Sequence, residues 1–283
     1  MTTALNRLTD GTIELTINIP RVKVKREYER AIEEMVKQTE IKGFRKGKAP
    51  RNLVEEKADK NKIYEEVLKN LVPEVYLEAV REHNLKPIVN PQVRVISLEE
   101  NKDWQIQAVT CEQPKTELGD YKIAIKGETA ASKILVPGKK ETPEKEKEEQ
   151  VLAKIFRALL KTVKTTIPKI LITEEVNRML ARLVDQTGKL GLSIEQYLSS
   201  IGKTGDQLRA EYTQQAEETL KLELILGRIA DEERIEVSEK EVVQMIAAAP
   251  DETSRKRMEA PEQKAYIEQI LRKRKAVEKL LKM

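Results

Sequence analysis

The sequence predicts an α+β protein in two parts, a sheet-plus-helices N-terminal domain followed by an all-α C-terminal domain. Three observations carry this expectation. Apolar and polar residues alternate at 11–19 and again at 104–112, the period-two pattern of half-buried strands. From Pro143 onward, apolar residues recur at helical spacing between repeated capping signals. Between these stretches, residues 139–149 are nearly all charged and Pro137-Gly138 and Thr142-Pro143 interrupt the chain, which reads as a linker. The expected boundaries are 1–113, a linker over 114–142, and 143–283.

Each element has a local reason. Ile13, Leu15, Ile17 and Ile19 share one face of a strand and Thr12, Glu14, Thr16 and Asn18 the other. Asp10-Gly11 is a strong turn signal, so residues 3–8 form a hairpin with that strand. Residues 21–39 are helical, with Val24, Tyr28, Ala31, Ile32, Met35 and Val36 along one face. A second long helix over 61–82 uses Ile63, Val67, Leu71, Val75 and Val80, and Pro73 inside it implies a kink or a missing hydrogen bond. Residues 92–98 and 104–112 alternate about the turn Glu99-Glu100-Asn101-Lys102. Cys111 is expected half-buried in the last strand and Trp104 to cover the sheet.

In the second half, residues 144–163 form an amphipathic helix, and Thr173 caps one carrying Val176, Met179, Leu180 and Leu183. Ser193-Ile194-Glu195-Gln196 and Thr204-Gly205-Asp206-Gln207 are capping boxes, the second opening a helix of roughly 25 residues to about Ala230. Ser238 caps another, closed near Pro250, and Pro261 starts the last. Leu220 to Leu226 places Leu and Ile around more than half of its helix. Such a helix is either sandwiched between neighbours or has one face lining an open apolar groove.

Composition narrows the function classes. A chain of 283 residues with 35% charged, 39% hydrophobic and 4% aromatic residues is helix-rich and highly charged, yet apolar enough for cores. No apolar run approaches the ~20 residues of a membrane-spanning helix, and residues 1–20 hold no apolar signal core. One cysteine excludes an internal disulfide and fits a reducing compartment. With one His and one Cys, no nucleophile–base constellation and no metal site is expected; His83 reads as a cation at a helix C-terminus.

The most distinctive stretch is Gly43-Phe44-Arg45-Lys46-Gly47-Lys48-Ala49-Pro50. Residues 42–51 carry Lys42, Arg45, Lys46, Lys48 and Arg51 and no acidic residue, with Phe44 inside the cluster. Glycines permit a tight tip, and Pro50 at a first helical position would start the next helix. It is not a P-loop: three residues, not four, separate the glycines, and Ala49 follows Lys48 where a hydroxyl is needed. An exposed aromatic amid charge points to docking on a phosphate-rich or acidic partner.

This stretch resembles the signature loop of trigger factor, the bacterial chaperone family at the ribosomal exit tunnel. Ile19-Pro20, Ile41-Lys42, Asn84-Leu85-Lys86-Pro87 and Leu118-Gly119-Asp120-Tyr121 are also similar to that family. Further on, Ile167-Pro168 and the run from Leu224 to Ser238 resemble its helical C-terminal domain. The resemblance implies an ATP-independent, ribosome-associated cytoplasmic chaperone with neither cofactor nor metal. Gly43, Phe44, Arg45, Lys46, Gly47 and Lys48 would contact an exit-tunnel protein and rRNA. Nascent or unfolded polypeptides would be the clients, with no role for membrane or DNA. Its helical arms surround an apolar groove, which implies Met179, Leu183, Leu222, Leu226 and Met245 as client-binding residues. The family's FKBP-type prolyl isomerase domain needs about 90–100 residues, whereas 114–150 is far shorter and has Tyr121 as its one aromatic. A non-enzyme is therefore expected, with no catalytic residues. The alternatives are a basic RNA-binding protein using the loop and Arg272-Lys273-Arg274-Lys275, or a trigger factor that retains isomerase activity.

Overall fold

The computed structural model describes residues 1–38, 44–45, 47–48, 50–130 and 144–283. The chain divides into two compact units, Met1–Gln113 and Pro114–Met283.

In the first unit the Asp10-Gly11 turn joins β1 (Thr2–Arg7) to β2 (Thr12–Ile19). Gly11 has φ +88°, and the Asp10 carboxylate accepts from the Thr12 amide at 3.0 Å and from its hydroxyl at 3.0 Å. Helices α1 (Arg21–Gln38), α2 (Arg51–Lys57) and α3 (Lys60–Glu82) follow, then β3 (Gln92–Ser97) and β4 (Trp104–Cys111). The strands form one antiparallel sheet in the order β1-β2-β4-β3. Register sets Leu15 opposite Ala108, Ile17 opposite Ile106 and Ile19 opposite Trp104. Opposed residues share a face, so one side of the β2–β4 pair is a continuous apolar layer. α1 and α3 cover it with Ile32, Ile63, Val67, Leu71 and Val75. Pro73 lies inside α3, which runs unbroken from Lys60 to Glu82. Trp104 is buried edge-on to Tyr64, with ring centroids 5.3 Å apart. Cys111 is fully buried rather than half-buried, since Thr12 of β2 lies opposite it and its strand is an inner one. His83 caps α3, with its Nε2 2.8 Å from the Thr3 hydroxyl.

The second unit opens with a correction to the sequence reading. Residues 114–130, expected within a linker, contain β5 (Thr116–Glu117) and α4 (Tyr121–Ala130). Leu118, Tyr121 and Ile125 are buried in the main helical core. Five apolar residues in ten, four of them within Tyr121–Ile125, supply too short a period to read locally, and only partners distant in sequence give it a buried face. The rest of the expected linker, 131–142, lies outside the described residues, as does Pro143.

Beyond it come α5 (Glu144–Thr162), β6 (Lys164–Thr165), α6 (Lys169–Lys189), α7 (Ile194–Ser200), α8 (Gly205–Glu232), α9 (Glu239–Ala247), α10 (Glu252–Met258) and α11 (Pro261–Leu281). β5 and β6 pair antiparallel. Ser193, Thr204 and Ser238 each form a reciprocal capping box. Thr173 is not a cap. α6 begins at Lys169 after Pro168, and the Thr173 hydroxyl donates to the Lys169 carbonyl at 2.9 Å. α10 is an element the sequence pattern did not announce; Asp251 caps it by accepting from the Ser254 amide at 2.7 Å. The wide apolar circumference of α8 is that of a sandwiched helix, packed against α5, α6 and α11. Glu233, the C-cap of α8, accepts from the Tyr121 hydroxyl at 3.1 Å and pairs with Lys122 and Lys279, each at 2.5 Å, joining α4, α8 and α11.

Candidate functional site

The basic loop is held at its base by α1 and α2. Val54 of α2 is buried against Met35 and Val36 of α1 and its neighbour Leu53. Pro50 is the N-cap residue of α2 rather than its first helical residue, with ψ 137°. Its carbonyl accepts from the amides of Leu53 at 3.1 Å and Val54 at 3.2 Å. Within the loop, the Lys48 amide donates to the Arg45 carbonyl at 2.9 Å. Gly47 has φ +76°, and a Cβ there would lie 3.3 Å from the Lys37 carbonyl oxygen. The left-handed turn calls for glycine, and the close α1 backbone would leave a Cβ only tight space.

Phe44 is 41% exposed, and Arg45 and Lys48 are also exposed. One aromatic and two cations are therefore presented outward on a base fixed by a buried valine. Gly43 and Lys46, with Lys42 and Ala49, lie outside the described residues. Among the described residues, no ion pair involves Arg45 or Lys48, so both charges are available to a partner.

Sequence reasoning missed a cleft beside this loop. About 260 Å³ in volume, it lies between α1, α2 and the β3–β4 turn, and Tyr28, Tyr64, Trp104, Arg21, Arg51 and Lys102 contribute to its wall. Burial and a hydrogen bond to Glu55 push the Tyr28 phenol up to about 12, so it remains a neutral donor near neutral pH. The signal was present as tyrosines on the apolar faces of two helices, but their convergence depends on how α1 and α3 pack.

The expected client-binding residues differ in exposure, and Leu222 and Leu226 share the main helical core. Leu183 and Leu226 are buried, and Met179 and Leu222 are half-buried, Leu222 against the main helical core. Met245 is exposed on α9. Interior packing of α8 withdraws Leu226 from solvent, since α8 has neighbours on several sides. Other exposed apolar side chains of this unit are Ile123 on α4, Val184, Leu190, Leu192 and Ile201 along α6 and the turns around α7, and Val243 and Tyr266 on α9 and α11. Leu190 is 75% and Tyr266 64% exposed. The sequence did carry one clue, the apolar Leu190-Gly191-Leu192 in a turn between two helices.

Among the described residues there is no group of three or more His, Cys, Asp or Glu that could hold a metal ion. No described helix is long and apolar enough to cross a membrane.

Comparison with known sequences matches residues 1–135 to the bacterial trigger factor protein family and residues 139–282 to the trigger factor C-terminus. The chain belongs to the bacterial trigger factor family. Curated relatives include the trigger factors of Staphylococcus aureus strains JH9 and Newman, each 37% identical over 108 residues. That match covers 38% of this chain and 25% of each relative, so it spans about a quarter of their length. A solved structure described under promiscuous substrate recognition in the folding and assembly activities of the trigger factor chaperone shares the fold. It has a TM-score of 0.67 and 13% identity, and the alignment covers 100% of this chain and 99% of that one.

Proposed function

We propose that this chain is an ATP-independent chaperone that docks on the ribosome through its 43–50 loop and shields apolar segments of nascent polypeptides. The observation that carries the proposal is Phe44 standing exposed beside Arg45 and Lys48, which make no ion pair among the described residues, on a base fixed by Val54. Arg45 and Lys46 would meet rRNA phosphate or acidic side chains of an exit-tunnel protein, and Phe44 would fill an apolar crevice. Membership of the trigger factor family supports this reading. The exposed apolar side chains of α6, α9, α11 and the turns around α7 would hold the client. Burial worth about 25 cal/mol per Å² makes a few hundred Å² of contact useful yet reversible, so release needs no nucleotide. The cytoplasm is the compartment where such a partner is met. The two family matches leave only residues 136–138 between them, so prolyl isomerase chemistry is not part of the proposed function.

The test is co-sedimentation with intact ribosomes. Phe44→Ala/Arg45→Ala/Lys46→Ala should weaken binding by at least roughly 100-fold, since each of two hydrogen bonds to a charged group contributes about 1.5–3 kcal/mol. Wild-type binding should fall as salt rises. Undiminished co-sedimentation of the triple variant would remove the docking assignment, and equal affinity for naked RNA would favour a general RNA-binding protein.

A further inference from the structure

The two edges of the N-terminal sheet are built differently. On the β1 edge, polar side chains are engaged: Thr3 with His83 at 2.8 Å, Asn6 with Glu14 at 3.1 Å and Arg7 with Glu112 at 2.7 Å. Leu5, on its helix-facing side, packs against the core. β3 forms the other edge. Its Val93 and Val95 stand opposite Ala108 and Ile106, both fully buried, and therefore lie on the helix-facing side. Yet Val93 is 37% and Val95 48% exposed. The apolar layer thus runs one strand beyond its helical cover.

The outer rim of β3 is unpaired as well. Among the described residues, 92–97 make no backbone hydrogen bond outside the ladder with β4. Natural edge strands are usually blunted by lysine, proline or inward-pointing charge. β3 has none of these within it, and its single charge, Arg94, projects to the opposite face from Val93 and Val95. Arg94 has no ion-pair partner among the described residues. The ladder is irregular only at its end, between Val95 and Ser97, which leaves Val93-Arg94-Val95 in regular register.

We propose that β3 accepts an extended segment of a client polypeptide as an added strand, selecting an apolar-acidic-apolar triplet. Directly opposed residues of neighbouring strands share a face. Two apolar residues at i and i+2 would cover Val93 and Val95, and the residue between them would meet Arg94, where a carboxylate completes the pair. Backbone hydrogen bonds supply sequence-tolerant affinity, and alternate side chains supply selection. This rests on the client-binding reading above and adds to it a second client site, remote in sequence from the helical surfaces. A second copy of β3 is the competing occupant, since the same rim would accept it.

The test uses the full chain and a fluorescein-labelled nonapeptide of alternating Val and Thr, with Glu replacing the central Thr. A control peptide carries Pro at two central positions. Anisotropy should show binding of the first and not of the second, and amide exchange at β3 should slow on binding. Val93→Lys/Val95→Lys should weaken binding at least roughly ten-fold with an unchanged melting curve, both side chains being exposed. Arg94→Glu should weaken the Glu peptide several-fold and bind a counterpart with central Lys better than the wild type does. Unchanged peptide affinity in both variants, or no preference reversal in Arg94→Glu, overturns the proposal. So does a wild-type dimer that Val95→Lys dissociates while peptide binding persists, which would assign the edge to self-pairing. Suppression of client aggregation is read in parallel: if wild type suppresses it and the β3 variants bind peptide normally, the edge site fails while the chaperone reading stands. If wild type suppresses nothing, the chaperone reading itself has failed.

Discussion

The N-terminal unit gathers its buried apolar residues into one dominant core and presents charge at its loop, whereas the helical unit divides its buried apolar residues between clusters; both leave apolar side chains outside, Val22 and Leu77 in the first and Leu190 and Tyr266 in the second. In the first, Ile17, Ile19, Ile63, Leu71 and Ile106 are fully buried within a single cluster. In the second, a main cluster around Ile155, Leu159 and Ile225 is separate from a smaller one of Val242, Ile246 and Ile267, and Leu190 and Tyr266 remain in solvent. The difference teaches what each surface is suited for. The proposed docking on a fixed partner calls for a fixed base under a few charges, which Val54 and the turn at Gly47 would supply. Holding varied clients needs exposed apolar area without a fixed shape, which helix ends and turns provide.

The comparison breaks most severely in the core. Ile106→Ala should destabilise the N-terminal unit by about 2–5 kcal/mol and leave the helical unit's own core intact. Circular dichroism should then show loss of strand signal before helix signal. A single concerted shift of both would mean that the units do not hold separate cores.

A smaller effect separates exposure from stability in the helical unit. Val184→Ser, Leu190→Ser and Tyr266→Ser should each change stability by less than about 0.5 kcal/mol, since none fills a core. Combined, they should raise several-fold the protein needed to suppress light scattering by a refolding client. An unchanged requirement would place client binding elsewhere.

Acid distinguishes the units through particular carboxylates. Lys122 first, then Lys279 and the Tyr121 hydroxyl, hold Glu233 down at about 2, against an ordinary 4.5. A folded-state value depressed in this way contributes stability that is complete above about 4.5 and is lost as pH falls towards 2. Glu233→Gln should lower the helical unit's melting temperature at pH 7 and flatten its decline between pH 4.5 and 2. In the first unit, Arg7 and the Lys86 amide hold Glu112 below the usual range, so its acid sensitivity should survive that substitution. Equal acid profiles for Glu233→Gln and wild type would show that this carboxylate does not join α4, α8 and α11 in solution.

The smallest expected effect is none. Added protein should not accelerate isomerisation of a short proline peptide beyond its uncatalysed time of roughly 10–100 s at 25 °C. A rate rising in proportion to protein concentration would reveal a catalytic pocket in one of the two units.

Much of the architecture was legible from local pattern. The alternation of Ile13 to Ile19, the Asp10-Gly11 turn and the capping boxes at Ser193, Thr204 and Ser238 are set by residues a few positions apart, so a single sequence displays them. The loop's composition was equally local, and the φ of Gly47 accounts for its glycine. What tertiary structure alone decided is which apolar faces are covered. α4 has a buried side only because α5 packs against it and its side chains join the main helical core, and so its ten residues read as linker. Leu226 and Leu190 are the same residue type, yet one is enclosed by neighbouring helices and the other ends a helix in solvent. Val93 and Val95 repeat the pattern of Ile13 and Leu15, and strand order leaves them at an edge without a helix above. Periodicity tells which side chains share a face, whereas burial depends on partners far along the chain, and those contacts are settled by packing.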